Sequence, residues 1–213
     1  MSTTEVTQFR NIVENNEFTV VIIWRGDWWG PCQDELKQFT REVYPEILAR
    51  NGTIVGVVGQ EQAIADKAMA TWKIPFPSIG DPYVSIVDEL YARGIGKVYV
   101  DQHMGSFLNK SWMRQAEVAK KTQKIQARYE RDPHPVGVLQ PAIFALDKNY
   151  KVLYRWISEP SWKNIGGAHN RPDADIVWKA VQTSLKGDMS LMEGQDVDKI
   201  GFGGPNVFFP LFY

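Results

Sequence analysis

The sequence predicts an α/β fold: a central mixed β-sheet with helices on both of its faces. Two continuous apolar runs, Phe18 to Trp24 and Thr53 to Val58, are the first sign, because strands buried on both faces read this way. Each is followed by a stretch with helical spacing, which makes the pair parallel. The third sign is a late hairpin pattern, Ala142 to Leu146 and Val152 to Trp156, joined through Asp147-Lys148-Asn149-Tyr150.

The elements follow in order. Residues 4 to 16 put Val6, Phe9, Ile12 and Val13 on one side of a short helix. Arg25 to Gly30 reads as a loop, and Pro31 fits the first position of a helix, where its missing N–H costs nothing. Asp34 and Glu35 are expected in the first turn, where the helix dipole favours acids. Leu36, Phe39, Val43 and Ile47 continue the spacing as far as Asn51-Gly52. A helix over 61 to 72 stops at Lys73-Ile74-Pro75-Phe76-Pro77, and another runs from Val84 to Ala92. Lys97 to Val100 suits a short strand, residues 106 to 131 a long polar helix, and Ile176 to Leu185 a closing helix. The expected organisation is a single domain with its core over about 18–186. A helical insertion spans about 103–135 and a C-terminal extension about 187–213. The extension holds five aromatic residues, Phe202, Phe208, Phe209, Phe212 and Tyr213. They would cover apolar surface within the chain or across a homodimer.

Composition narrows the function classes. The 213 residues carry 24 Lys+Arg and 25 Asp+Glu, so no global nucleic-acid footprint exists. No run approaches the ~18 apolar residues of a membrane span. One cysteine permits no intrachain disulfide, which points to a reducing, cytoplasmic compartment. His103, His134 and His169 lack metal-ligand spacing, so no metal is expected, although His134 could approach the thiol as a base. The segment from Lys110 to Arg131 has seven Lys/Arg against two Glu, which suits a solvated helix face or an anionic partner.

The chemistry concentrates at Arg25-Gly26-Asp27-Trp28-Trp29-Gly30-Pro31-Cys32, followed by Glu35-Leu36. A thiol at a helix N-terminus meets unpaired backbone N–H groups and the positive dipole end, and both favour thiolate. Asp34 and Glu35 oppose that effect, whereas Arg25 and Lys37 could compensate. The bland alternative is a buried cysteine acting as a small hydrophobe.

This stretch resembles the active-site loop of the thioredoxin fold. The match is closer to the peroxiredoxin-like branch of the alkyl hydroperoxide reductase/thiol-specific antioxidant superfamily. The segment "IPFPSIGDPY", residues 74 to 83, and the hairpin "PAIFALDKNYKVLYRW", residues 141 to 156, are similar to further parts of that family. The resemblance implies a thioredoxin-like fold and an antioxidant oxidoreductase in which Cys32 occupies the reactive position. It implies that Trp28, Trp29, Gly30, Pro31, Arg25 and Pro141 line a substrate site, with Pro141 a cis-proline facing the cysteine. The departures are equally specific. Trp29 stands where a partner cysteine, or the family's threonine, would be, and Arg25 takes the place of its proline. The assisting arginine expected before the late strand falls near Gln140-Pro141.

The resulting expectation is a thiol-dependent oxidoreductase that reduces a small-molecule peroxide or a disulfide through one cysteine. No cofactor is expected bound, and an external thiol such as glutathione would resolve the oxidised sulfur. Nucleic acid and membrane are not expected as partners. Two rival readings stand beside this one. In the first, a redox-inactive fold binds a ligand through the Trp28-Trp29 cleft. In the second, a specialised-pathway enzyme uses that cleft for non-redox chemistry.

Overall fold

Phe18–Trp24 forms β1, the centre of a five-stranded sheet. Its alternation feeds two cores. Phe18, Val20, Ile22 and Trp24 point to one face, and Val21 and Ile23 point to the other. The computed structural model describes residues 3–101, 134–158, 167–168 and 170–194. The sheet order is β3-β2-β1-β6-β7, with β2 at Gly52–Val58, β3 at Ser78–Gly80, β6 at Ala142–Asp147 and β7 at Val152–Ile157. β1 pairs in parallel with β2, and β2 with β3. β6 runs antiparallel to both β1 and β7. Two short strands, β4 (Val100–Asp101) and β5 (Val138–Leu139), pair apart from the main sheet.

Helices cover both faces. On one side α1 (Thr4–Glu14) and α5 (Ser85–Ala92) bury Val6, Phe9, Val13, Ile86 and Leu90. On the other lie α2 (Gly30–Glu42), α3 (Tyr44–Leu48), α4 (Gln62–Trp72) and α6 (Ala174–Leu185). They bury Leu36, Phe39, Ile47, Met69, Val177 and Val181 against the even-numbered residues of β1. This is the thioredoxin-like α/β architecture.

Four local expectations change. The helix expected to continue to Ile47 breaks at Val43, whose φ of −130° is not helical, because Pro45 opens a second helix and cannot continue the first. α2 starts at Gly30, so Pro31 is its second residue, and no acid lies in its first turn: Asp34 and Glu35 fall one turn later. β3 and β5 were not expected; at three and two residues they are too short for a periodicity to register. Residues 192–194 run beside β7, where Arg155 N–H donates to Met192 O at 2.7 Å and Gly194 N–H donates to Arg155 O at 2.7 Å. Part of the expected C-terminal extension therefore belongs to the domain. The expected helix over 106–131, the basic segment from Lys110 to Arg131, His103, His169 and the aromatic tail lie outside the described residues.

Candidate active site

Cys32 sits in the first turn of α2, at the carboxyl end of β1, and is completely buried. The turn is built tightly. Trp29 N–H donates to Gly26 O at 3.1 Å, and Cys32 N–H donates to Trp29 O at 3.0 Å. Asp27 N–H is held by Gln60 Oε1 at 3.0 Å, which ties the loop to the end of β2.

Two donors converge on the sulfur. The backbone N–H of Arg25 donates to Cys32 Sγ at 3.4 Å. The second is Nη2 of Arg171, at 3.3 Å. The Arg171 guanidinium is fixed on every side. Its Nε donates to Gly167 O at 2.6 Å, and Nη1 donates to Glu35 Oε2 at 2.7 Å and to Pro31 O at 3.3 Å. Burial works against the charge on Arg171, but the Cys32 sulfur and the Glu35 carboxylate outweigh it and hold its pKa above the ordinary value. Burial pushes the Glu35 carboxyl up, and Arg171 pulls it the other way.

Arg25 itself is 0% exposed, an unusual place for a guanidinium. Its Cζ lies 5.2 Å from the Trp29 ring centroid and 5.8 Å from that of Trp28, within cation–π range. Asp101 Oδ2 lies 3.7 Å from its Nη2. Desolvation lowers the Arg25 pKa to about 10, with Cys32 and Asp101 working in the opposite direction.

Trp28 is buried and packs edge-on to Trp29, their centroids 5.7 Å apart. Its Nε1–H donates to His134 Nε2 at 3.2 Å, while His134 Nδ1 faces Gly59 O at 3.1 Å. A carbonyl can only accept, so the proton is on Nδ1, and Nε2 is free to accept from the indole. His134 thus anchors Trp28, and in this arrangement its Nε2 lone pair faces the indole.

Gly30 is exposed, and a Cβ there would meet open space, so no close approach demands glycine. Pro141 belongs to the site's far wall. Gly167, at φ +61°, packs so closely that a Cβ would lie 2.7 Å from Pro141 Cδ, and the Gly167 carbonyl holds Arg171. The peptide bond before Pro141 is trans, contrary to expectation. Gln140 N–H donates to Tyr99 O and Ser158 N–H donates to Pro141 O, so the chain runs straight from β5 into β6 and a trans link continues it.

Arg171 is the residue at the sulfur that the sequence reading missed. An arginine was sought just before β6, yet the one that reaches the sulfur lies beyond β7, before α6. The only local signal was Arg171-Pro172-Asp173 ahead of a helix, and that does not specify a contact 139 residues away. Among the described residues no cluster of His, Cys, Asp and Glu could hold a metal ion, and no helix is long and apolar enough to cross a membrane.

Comparison with known proteins agrees with this fold. The family model for the AhpC/TSA family matches residues 2–155. None of the curated proteins searched matches the chain. Among solved structures, AhpC of Enterococcus faecalis superimposes with a TM-score of 0.51 at 14% identity, covering 80% of this chain and 77% of that one. Peroxidoxin BcpB of Mycobacterium tuberculosis gives 0.50 at 12% identity, covering 82% and 84%. At such identities the likeness is one of fold.

Proposed function

Since this chain belongs to the AhpC/TSA family, we propose that it is a thiol peroxidase acting through Cys32 alone. The observation that carries the reading is the Arg171 guanidinium, its side chain only 11% exposed, 3.3 Å from the sulfur and held by Glu35, Pro31 and Gly167. A cysteine that served only as a small hydrophobe would gain nothing from a desolvated cation. Beside a thiolate the same cation is stabilising and places positive charge where a nucleophile needs it.

The reaction begins as Cys32 loses its proton to solvent. The thiolate attacks the terminal oxygen of a hydroperoxide, an S–O bond forms and the O–O bond breaks. The departing oxygen takes the electron pair and a proton and leaves as an alcohol, or as water from hydrogen peroxide. The sulfenic acid then meets an outside thiol, forming a mixed disulfide and water. A second thiol releases Cys32 and departs as a disulfide. The thiol comes from outside the chain, glutathione being one of the right chemistry, since the chain has no other cysteine. Full burial of the sulfur supports a small peroxide over a protein disulfide as oxidant. The same burial is what favours the rival reading of a redox-inactive binding protein.

Intact-mass spectrometry after a near-stoichiometric peroxide pulse separates the two. Gain of one oxygen, conversion by glutathione to its adduct, and clearance by excess thiol are expected, with little disulfide-linked dimer. Cys32 left unmodified by peroxide that oxidises free cysteine would sink the peroxidase reading.

A further inference from the structure

Asp34, Lys37, Gln38 and Arg41 follow helical spacing along α2, and all but Gln38 are exposed. Opposite them runs the segment from Ala168 to Asp173 that leads into α6. Between the two lies a groove of about 510 Å³, within the ~300–1,000 Å³ usual for small-ligand sites. Contacts bridge its walls. Gln38 Nε2 donates to Asp173 Oδ1 at 3.4 Å, and Arg171 Nη1 donates to Pro31 O and to Glu35 Oε2. Arg171 lines this groove and also donates to Cys32 Sγ at 3.3 Å. One guanidinium therefore belongs both to the groove and to the shell of a completely buried sulfur. The lining carries three cations, Lys37, Arg41 and Arg171, and three acids, Asp34, Glu35 and Asp173. Its acids repel a simple anion, so the groove suits a molecule that bears both signs of charge. Arg41 pairs with its neighbour Glu42, but exposed pairs of that kind are worth little and exchange readily.

We propose that this groove docks the outside thiol, and that the thiol is a small peptide carrying carboxylates and an ammonium, as glutathione does. The inference rests on the peroxidase reading above. The carboxylates of the ligand face Lys37 and Arg41, and its ammonium faces Asp34 or Asp173. From Cys32 to Arg41 the helix rises about 14 Å. An extended tripeptide spans about 10–11 Å, so a ligand held at those cations reaches back to Arg171. A carboxylate that competes with Glu35 for the guanidinium draws Arg171 off the sulfur and admits the thiol. The incoming sulfur then attacks the sulfenic Sγ. An S–S bond forms, the S–O bond breaks, and the hydroxyl leaves with the thiol proton as water. A second thiol attacks the ligand's sulfur, departs with it as a disulfide, and leaves its proton on Cys32.

The test has two arms. The first titrates the reduced protein with S-methylglutathione, which keeps the charges and has no free thiol. NMR is expected to show saturable binding, with amide shifts in residues 34–41 and 168–173. Lys37→Met combined with Arg41→Met removes two cations from exposed positions and should weaken that binding about tenfold, the scale of two exposed charge contacts together. The second arm reduces peroxide-oxidised Cys32. Glutathione should give a rate that saturates, and the double variant should lower it about tenfold at low thiol, while uncharged 2-mercaptoethanol should differ by less than about twofold between the two proteins. Absence of binding, binding that the double variant leaves unchanged, or equal loss with both thiols would overturn the groove and leave the peroxidase reading intact. A wild-type protein that peroxide does not oxidise at Cys32 overturns the peroxidase reading and this role with it, even where S-methylglutathione binds.

Discussion

Arg171 and Cys32, 139 residues apart, meet at 3.3 Å, and Glu35 holds the arginine in place from one turn further along the cysteine's own helix. The cation is thus referenced to the nucleophile through a single turn of α2. Arg171→Met should lower the rate of peroxide oxidation of Cys32 by roughly 10²–10³, the scale for loss of one preorganised electrostatic contact. Arg171→Lys should recover only part of it, because an ammonium cannot span Cys32, Glu35 and Gly167 together. Stopped-flow oxidation kinetics decide this, and equal rates for wild type and Arg171→Met would remove Arg171 from the mechanism.

Glu35→Ala removes the counter-charge from an Arg171 side chain that is only 11% exposed. Breaking such a pair costs about 3 kcal/mol or more, which for a chain of this size lowers the melting temperature by roughly 6–12 °C. Calorimetry should show that drop, and a shift below about 2 °C would mean that the pair contributes little net stability.

Arg25 is expected to trade stability for function. Its folded pKa is lowered to about 10, below its ordinary value, because burial disfavours the charge. At neutral pH both folded and unfolded chains carry this proton, so the cost of burying it is fully present. As pH rises through about 10, the folded state releases a proton that the unfolded state still holds, and that cost is relieved. Arg25→Met should therefore be at least as stable as wild type at neutral pH, and its advantage should shrink above about pH 10. Its Cys32 should react more slowly with peroxide. Urea titrations across that range provide the check, and an advantage that grows with pH would reverse the sign.

His134→Phe strands the Trp28 indole N–H in the interior, at a cost of about 1–3 kcal/mol. Because Trp28 packs on Trp29, the loop around Cys32 should loosen, and its alkylation should quicken. Alkylation at an unchanged rate would show that the anchor does not guard the sulfur.

Much of the fold could be read directly. β1 is buried at every position, apolar at all but Thr19, and shares its side chains between two helical layers, which is why its run looks continuous. The hairpin of β6 and β7 and the start of α2 beside Cys32 were equally plain, since local turn and cap residues determine them. What escaped was decided at long range or over very few residues. Ser78–Gly80 becomes a strand only because β2 offers it an edge. The identity of the assisting arginine depends on how the chain returns after β7, where Gly167 at φ +61° turns it against Pro141. Nothing in the neighbourhood of residue 171 encodes that encounter.

The segment at 192–194, laid beside β7, bears on how the molecule behaves in a crowded solution. Its hydrogen bonds with Arg155 occupy main-chain groups along that border of the sheet, and Glu193 adds an ion pair with the Arg155 side chain. The opposite border, β3, is only three residues long. Open strand edges are templates for indiscriminate pairing between chains. With one border dressed and the other brief, two copies that meet by chance find little backbone to join. Along these described borders of the main sheet, contact between copies falls to side chains, which can be selective about the company they keep.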